Sequence, residues 1–450
     1  MDALVLSCGS SVEPLIESIS KYNPDLVYFL HSEQSFYHAM YILSFFNYDL
    51  SYNCKLVKDY QDLDDVFVKS REIFSELNEK GYDIRVDFTG GTKTMSAGLV
   101  LASIGQGCKH SYIGSKDLNG RDKNGLGVVL SGHESITEQE DPYESYAIFE
   151  FERGKLFFDQ YQFSAAKVNF EDAMKKSKSN DLKRIAKLYI DLVELYDLWD
   201  KFDIRKSKNV MLNAPFNKIL KQIRENDYAN NHFSKKYPHY VYQIEENINF
   251  LELKISQGKK ITIENVRYYL PDLLNNAQRR IDEGKYDDAV ARLYRAIELI
   301  AQIELTHEGL IDEDILSLNK VFKIKKSEID DLPSCLKYKI KSWHEYKKEP
   351  EKHVFKIGSC KNYLILKGLD VYFAKKYLKD DKIRNNVNLR NESILAHGLK
   401  RIKCEKAKEL YFQVLKYAEC VFPNIEEYMD MARFPKFNVN DKKSVLDKEC

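Results

Sequence analysis

The sequence predicts a protein of two fold classes. An α/β N-terminal part built on a mostly parallel, doubly wound sheet is followed by an all-α remainder. Three observations predict it. Short apolar runs alternate with amphipathic helical patterns through roughly residues 1–135, the signature of strand–helix–strand units. From about Asp141 the strand signals nearly vanish and helical periodicity takes over. Gly and Pro are sparse (19 and 10) while Tyr and Phe are abundant (30 and 24), which favours helix-rich packing.

Taken in order, residues 3–7 (Ala-Leu-Val-Leu-Ser) read as a first strand, followed by the small-residue turn Cys8-Gly9-Ser10-Ser11. A helix opens at Val12-Glu13-Pro14, with Leu15, Ile16 and Ile19 apolar. Pro14 falls in the first turn, where its missing N–H costs least. Further strands are expected at 26–30, 52–57, 84–88, 109–113 and 126–130. The one at 84–88 runs into Thr89-Gly90-Gly91-Thr92-Lys93-Thr94-Met95-Ser96 and a small, apolar helix at 97–104. In doubly wound sheets ligands bind outside the carboxyl ends of the strands, where the strand order reverses. The turns 8–11 and 89–93 both fall at such ends, so they are expected to line one pocket.

The chemistry of 89–96 suits phosphate. Gly90 and Gly91 allow close backbone approach, Thr89 and Thr92 carry hydroxyls, Lys93 adds a positive charge, and the following helix points its first amides at the same spot. It is not a Walker loop, since Thr92 rather than Gly precedes Lys93 and the upstream Gly is missing, nor is it GxGxxG. The run Asp87-Phe88-Thr89-Gly90-Gly91-Thr92-Lys93-Thr94-Met95-Ser96 resembles the signature of CRISPR-associated Rossmann-fold (CARF) domains, and the resemblance extends to the loop 7–11. It implies a Rossmann-like sensing domain over 1–140 that dimerises and binds a cyclic oligoadenylate across the two-fold axis. By that resemblance Cys8, Gly9, Ser10, Ser11, Thr89, Gly90, Gly91, Thr92 and Lys93 line the ligand pocket, with Lys93 and the glycine amides near phosphates. The charged turn Arg121-Asp122-Lys123-Asn124-Gly125 receives no role.

Residues 141–270 read as a helical connector. Gly154, Phe157, Ala166, Phe170 and Ala173 match the small/large spacing of one tetratricopeptide-like hairpin, with no array at that period. Further helices are expected at 181–203, 215–225 and 239–257, with a polar loop at 225–238.

Residues 271–435 are expected to form an α-helical domain. Its clearest helix is 285–305, where Ala289, Leu293, Ala296, Ile297 and Ile300 share one face. Opposite run Asp288, Arg295, Glu298 and Gln302, flanked by Arg292. Arg295 and Glu298 are three apart and can pair; the plain alternative is a solvated face. Downstream lies Leu389-Arg390-Asn391-Glu392-Ser393-Ile394-Leu395-Ala396-His397-Gly398, with Gly398 as a helix stop. On one helix Arg390 and His397 would share a face about 10 Å apart, too far for direct contact. Imidazole carries a proton near neutral pH, and guanidinium holds phosphate oxygens as negative charge builds. That pairing suits phosphodiester cleavage without a metal.

The helix motif Ala291-Arg292-Leu293-Tyr294-Arg295-Ala296-Ile297-Glu298, followed by Arg390-Asn391 and His397, is similar to HEPN ribonucleases. The resemblance implies metal-independent cutting of single-stranded RNA, the 2′-hydroxyl attacking phosphorus to leave a 2′,3′-cyclic phosphate and a 5′-hydroxyl. It gives His397 proton transfer, Arg390 stabilisation of the phosphorane, Asn391 orientation and Arg295 with Glu298 support. The site would be composite, completed by a second protomer.

Composition bounds the rest. With 69 basic and 69 acidic side chains among 450 residues the net charge is zero, so no global field draws the chain to nucleic acid or membrane. Lysines are dense over 320–367 but interleaved with acids, as a solvated face would be. The eight cysteines form no CxxC pair, which argues against a zinc ribbon or a disulfide framework and for reduced thiols in cytoplasm. No apolar stretch reaches 18 residues, and the start Met1-Asp2 has no basic signal region. Residues 436–450 are expected to be a mobile tail. The combined expectation is a homodimeric RNase of type III CRISPR defence, with a cyclic oligoadenylate as activator and neither metal nor cofactor. Two competitors stand beside it: a non-enzymatic sensor that recruits a partner through its helical half, and degradation of the activator at the N-terminal site by Thr89, Thr92 or Lys93.

Overall fold

The computed structural model describes residues 1–116, 120–122, 129–130, 132–203, 205–207, 210–255, 263–311, 323–348, 350–392 and 398–438, with backbone alone at 205–207, 210, 255, 263–264 and 388–392. The chain divides into two compact units, Met1–Glu150 with Asp172–Lys183, and Phe151–Glu171 with Arg184–Cys450.

The first unit is α/β. Its strands are β1 (Asp2–Ser7), β2 (Leu26–His31), β3 (Tyr52–Leu56), β4 (Asp83–Asp87), β5 (Lys109–Ser115) and β6 (Glu134–Gln139). Between them run α1 (Glu13–Tyr22), α2 (Phe36–Phe45), α3 (Leu63–Glu79) and α4 (Lys93–Ser103). The sheet order is β3-β2-β1-β4-β5-β6, parallel through β5 and antiparallel at β6. Every residue of β2, and all but the first of β1, is buried, as expected of parallel strands covered on both faces. One face carries Ala3, Val5, Tyr28 and Leu30 against Ile73, Phe74 and Leu77 of α3 and Met95 and Leu99 of α4. The other carries Leu4, Leu6, Val27 and Phe29 against Leu15 and Ile19 of α1 and Ile42 and Leu43 of α2. Pro14 stands in the first turn of α1, as expected.

The last strand differs from expectation. The last described strand lies at Glu134–Gln139; of the strand expected at 126–130, 126–128 fall outside the described residues, and Val129 makes an isolated bridge with Arg121. Glu-Ser-Ile-Thr-Glu-Gln has almost no apolar signal. Backbone pairing with β5, rather than burial, makes it a strand.

The second unit is helical: α5 (Ile148–Asp159), α6 (Phe163–Lys176), α7 (Asn180–Asp200), α8 (Asn213–Glu225), α9 (Pro238–Ile255), α10 (Tyr269–Asp282), α11 (Tyr286–His307), α12 (Ser359–Gly368), α13 (Asp381–Glu392), α14 (Cys404–Val421) and α15 (Ile425–Met431), with α5–α7 running across the division between units. The helix pair α5–α6 closes on Gly154, where a Cβ would stand 2.6 Å from the Phe170 ring; Phe170 in turn stacks on Tyr189 at 4.6 Å. The expected loop at 225–238 is instead a short helix, Asp227–Asn230, continued by a wide turn, Asn231–Lys235. Phe233 anchors it by packing at 4.9 Å on Tyr189, whose hydroxyl meets His232 Nε2 at 2.8 Å.

The expected tail also begins later. Phe434 and Phe437 are buried, and the Asp159 carboxylate accepts the amides of Phe437 (2.8 Å) and Asn438 (3.0 Å). The chain is thus pinned through Asn438; residues 439–450 lie outside the described residues. Buried charge knits α7 to α10 across position 270: Asp200 accepts from Arg279 at 2.7 Å and from Asn276 and Arg280, while fully buried Lys254 pairs with Asp272. Pairing offsets the cost of burying these ions. Among the described lysines of 320–367, Lys337 and Lys341 pair with Asp330 and Lys361 with Glu345. No described helix is long and apolar enough to cross a membrane.

Candidate functional site

At the centre of the sheet the chain order reverses, β1 leading outward to β2 and β4 outward to β5. The turns that follow β1 and β4 therefore leave neighbouring strand ends, and they touch. A Cβ on Gly9 would lie 2.6 Å from the Gly91 amide nitrogen, and one on Gly90 would lie 2.3 Å from the Ser7 carbonyl oxygen. Only residues without a Cβ permit this backbone-to-backbone approach. Gly91 has φ +80°, in the left-handed region. Ser7 Oγ and Ser96 Oγ both donate to the Gly90 carbonyl, at 2.6 and 3.0 Å.

Beneath these turns lies Asp87, fully buried at the end of β4. Its carboxylate accepts from Ser18 Oγ (2.8 Å), Ser111 Oγ (3.0 Å) and the Thr89 amide (3.0 Å). Asp87 was not among the expected site residues; an acid closing an apolar strand is the signal that marks it. The threonines have holding roles. Thr89 Oγ1 accepts the Ile113 amide at 2.8 Å, and Thr92 Oγ1 caps α4 by accepting the Met95 amide at 3.1 Å while donating to Tyr60 O at 3.0 Å. Cys8 points away from the turns: its side chain is buried, Sγ lies 3.6 Å from Ser35 O, and burial pushes the thiol up to about 12. Ser10 and Lys93 are exposed, while Gly9, Ser11, Thr89, Gly91 and Thr92 are half-buried. Glycine amides, the start of α4, Ser10 and Lys93 thus make a surface suited to an anionic ligand.

In the helical unit α11 packs against α10, α12, α13 and α14. Arg295 donates to Gln302 Oε1 at 2.8 Å and to Glu298 Oε2 at 3.4 Å, and burial lowers its guanidinium from the usual range. Gln302 itself is buried. The stripe Arg295–Glu298–Gln302 is therefore a hydrogen-bonded cluster on a partly solvated face, the Arg295 side chain being 40% exposed. Arg292 belongs to the same face, bonding Asp288 at 3.0 Å and also Asn276. The backbone of Arg390 and Asn391 lies in the last described turn of α13, the helix that packs on α11. Ile383 and Val387 are buried along α13, and Asn386 bonds Gln413 of α14 at 3.0 Å. His397 lies outside the described residues.

Residues 258–421 match the family model of the Csm6 HEPN domain. This stretch is a Csm6-type HEPN domain. It holds α10 to α14 and, with them, Arg295, Glu298, Arg390, Asn391 and His397. The chain therefore joins a parallel-rich N-terminal α/β unit to a helical HEPN domain. Among solved structures the whole chain is similar to Enterococcus italicus Csm6 bound to cyclic hexa-2′-fluoro-hexa-dAMP, at 14% identity and a TM-score of 0.47, covering 96% of this chain and 99% of that one. Can2 from Sulfobacillus thermosulfidooxidans in complex with cyclic tetra-adenylate aligns at 14% identity and a TM-score of 0.23, covering 58% of this chain and 72% of that one. A type III CRISPR defence DNA nuclease activated by cyclic oligoadenylate aligns at 13% identity and a TM-score of 0.23, over 44% of this chain and 34% of that one. No curated protein matches the sequence.

Proposed function

We propose that this chain is an endoribonuclease of type III CRISPR defence, activated by a cyclic oligoadenylate, that cuts single-stranded RNA as a homodimer without a metal ion. One observation carries the reading: within the matched HEPN segment, α11, which carries Arg295 and Glu298, packs on α13, the helix that carries Arg390 and Asn391, seven and six residues ahead of His397. In the proposed reaction the RNA 2′-hydroxyl attacks the adjacent phosphorus. The P–O2′ bond forms and the P–O5′ bond breaks, leaving a 2′,3′-cyclic phosphate and a 5′-hydroxyl. His397 moves the proton, an imidazole being suited to it near neutral pH. Arg390 holds the phosphorane oxygens as charge builds, and Asn391 orients the phosphate or Arg390. Arg295 and Glu298 position α13.

Control comes from the N-terminal unit. The anionic ligand sits over the 8–11 and 89–93 turns, against the glycine amides, Ser10 and Lys93. Its binding alters how two protomers pair and so aligns the composite site, a coupling between two distinct sites.

RNA cleavage in EDTA, with and without a panel of cyclic oligoadenylates, tests the proposal. Ligand-dependent cutting that leaves 2′,3′-cyclic phosphate ends and is lost in His397→Ala is expected. Equal cutting by His397→Ala, or a chain that binds ligand yet cuts no RNA, overturns the nuclease reading.

A further inference from the structure

The helix that carries Arg390 and Asn391 has little apolar surface to hold it in place. α13 reads Asp-Lys-Ile-Arg-Asn-Asn-Val-Asn-Leu-Arg-Asn-Glu, with three apolar residues in twelve. Four of the twelve are asparagine, a weak helix former. Among its described side chains Ile383, Asn386 and Val387 are buried. Apolar contact is non-directional, so Ile383 and Val387 alone would let the helix slide or roll.

Direction comes from polar ties to α14, of which three are described. Ahead of the helix, Tyr417 Oη donates to Asp380 Oδ2 at 3.0 Å. In its first turn Lys382 Nζ pairs with Glu409 at 2.7 Å. In its middle Asn386 Nδ2 donates to Gln413 Oε1 at 3.0 Å. They are not equivalent. The Lys382 side chain is 70% exposed, so its pair is screened and contributes little. Asn386 is 6% exposed, and of the three ties it stands nearest in sequence to Arg390. Position 390 follows 386 by one turn on the same helix face, about 6 Å along the axis.

A buried amide pair is satisfied at one height and one rotation. Sliding α13 by one residue would carry position 390 about 1.5 Å along the axis and leave the Asn386 amide buried without its acceptor. A misplacement on the order of 1 Å can cost about a hundredfold in rate. We propose that Asn386, through Gln413, is a positioning residue for RNA cleavage: the amide pair sets the height and rotation of α13, and with them the placing of Arg390 and Asn391. The role rests on the nuclease reading above and adds to it a residue that acts through the helix rather than on the phosphate.

Steady-state cleavage of a fluorogenic single-stranded RNA by the full chain, in EDTA with cyclic tetra-adenylate or cyclic hexa-adenylate, tests it beside thermal melting. Asn386→Leu should lower kcat by about tenfold or more, with KM within about twofold of the parent. The deciding variant combines Asn386→Leu with Gln413→Leu. With both partners apolar no amide is left unpaired, so the melting temperature should return toward the parent value while kcat stays low. A purely structural role would restore both. Asn386→Gln combined with Gln413→Asn keeps an amide pair of the same total reach and should recover part of kcat. Where Asn386→Leu does not fold, Gln413→Leu, on the half-buried side of the bond, takes its place.

A parent-like kcat in the folded single variants, a loss confined to KM, or a kcat that returns with the melting temperature in the double-leucine chain overturns the positioning role and leaves the nuclease reading standing. A parent chain that cuts no RNA with either ligand overturns the nuclease reading and this role together, so the two failures are told apart.

Discussion

Gly9 and Gly91 meet backbone to backbone at the carboxyl ends of neighbouring strands, with room for no Cβ between them: one on Gly9 would lie 2.6 Å from the Gly91 nitrogen and 3.0 Å from its Cα. This contact converts two separate turns into one surface.

Gly9→Ala should therefore force the two turns apart, because the atoms it meets are main chain and have no rotamer to retreat to. The expected cost is about 1–3 kcal/mol of stability, as for other overpacked sites. Binding of a cyclic oligoadenylate should weaken with it. Gly358→Ala is the comparison: a Cβ there meets nothing within 4 Å, so beyond the modest cost of Ala at the N-cap of α12 it should leave ligand binding unchanged. Thermal melting and ligand titration read both; a Gly9→Ala chain as stable and as tight as the parent would refute the account.

Arg295 joins Glu298 and buried Gln302 on the helix that packs against α13. Arg295→Leu removes the donor to the Gln302 carbonyl oxygen, which should cost about 1–3 kcal/mol. RNA cleavage should fall by about tenfold or more, consistent with a misplaced catalytic helix, while ligand binding at the N-terminal unit is retained. Arg295→Lys keeps the charge but not the fork and should recover only part of the rate. Cleavage that is undiminished in the leucine variant would remove Arg295 from the site.

His232 predicts the acid limb of stability. Burial, reinforced by Lys236 and Lys155, lowers its value from 6.5 to about 4. A base depressed in the fold takes up its proton first in the unfolded chain. Its contribution is thus full above about pH 6.5 and drains away as the pH falls toward 4, by an amount on the order of 3 kcal/mol. His232→Gln should flatten that part of the curve while keeping an acceptor near Tyr189 Oη. Denaturant unfolding across this pH window measures it, and superimposable slopes for parent and variant would show that His232 does not contribute.

Much of this was legible in the residues. The apolar runs of β1, β2 and β4 and the Gly-rich turns at their ends are local signals, and so is the 3.6-residue period of α11. The Gly154 and Phe170 pairing could also be read, because a hairpin brings close positions together. What failed were elements whose stability comes from partners distant in sequence. β6 has a polar strand sequence made regular by β5, and 225–238 is ordered by one aromatic, Phe233, against Tyr189. The stretch past 433 is held by Asp159, far back in the chain.

The sequence by itself determined the α/β-then-α order, the two glycine turns and the Arg390–His397 spacing, since each depends on residues a few positions apart. Only the tertiary structure decided that Gly9 touches Gly91, that Thr89 and Thr92 hold the turns from within while Cys8 points away from them, and that Asp87 is their support. It also decided that buried Asn386 meets Gln413 of the neighbouring helix. These facts rest on which surfaces are brought together and which polar atoms are left to find partners there, and neither has a period along the chain.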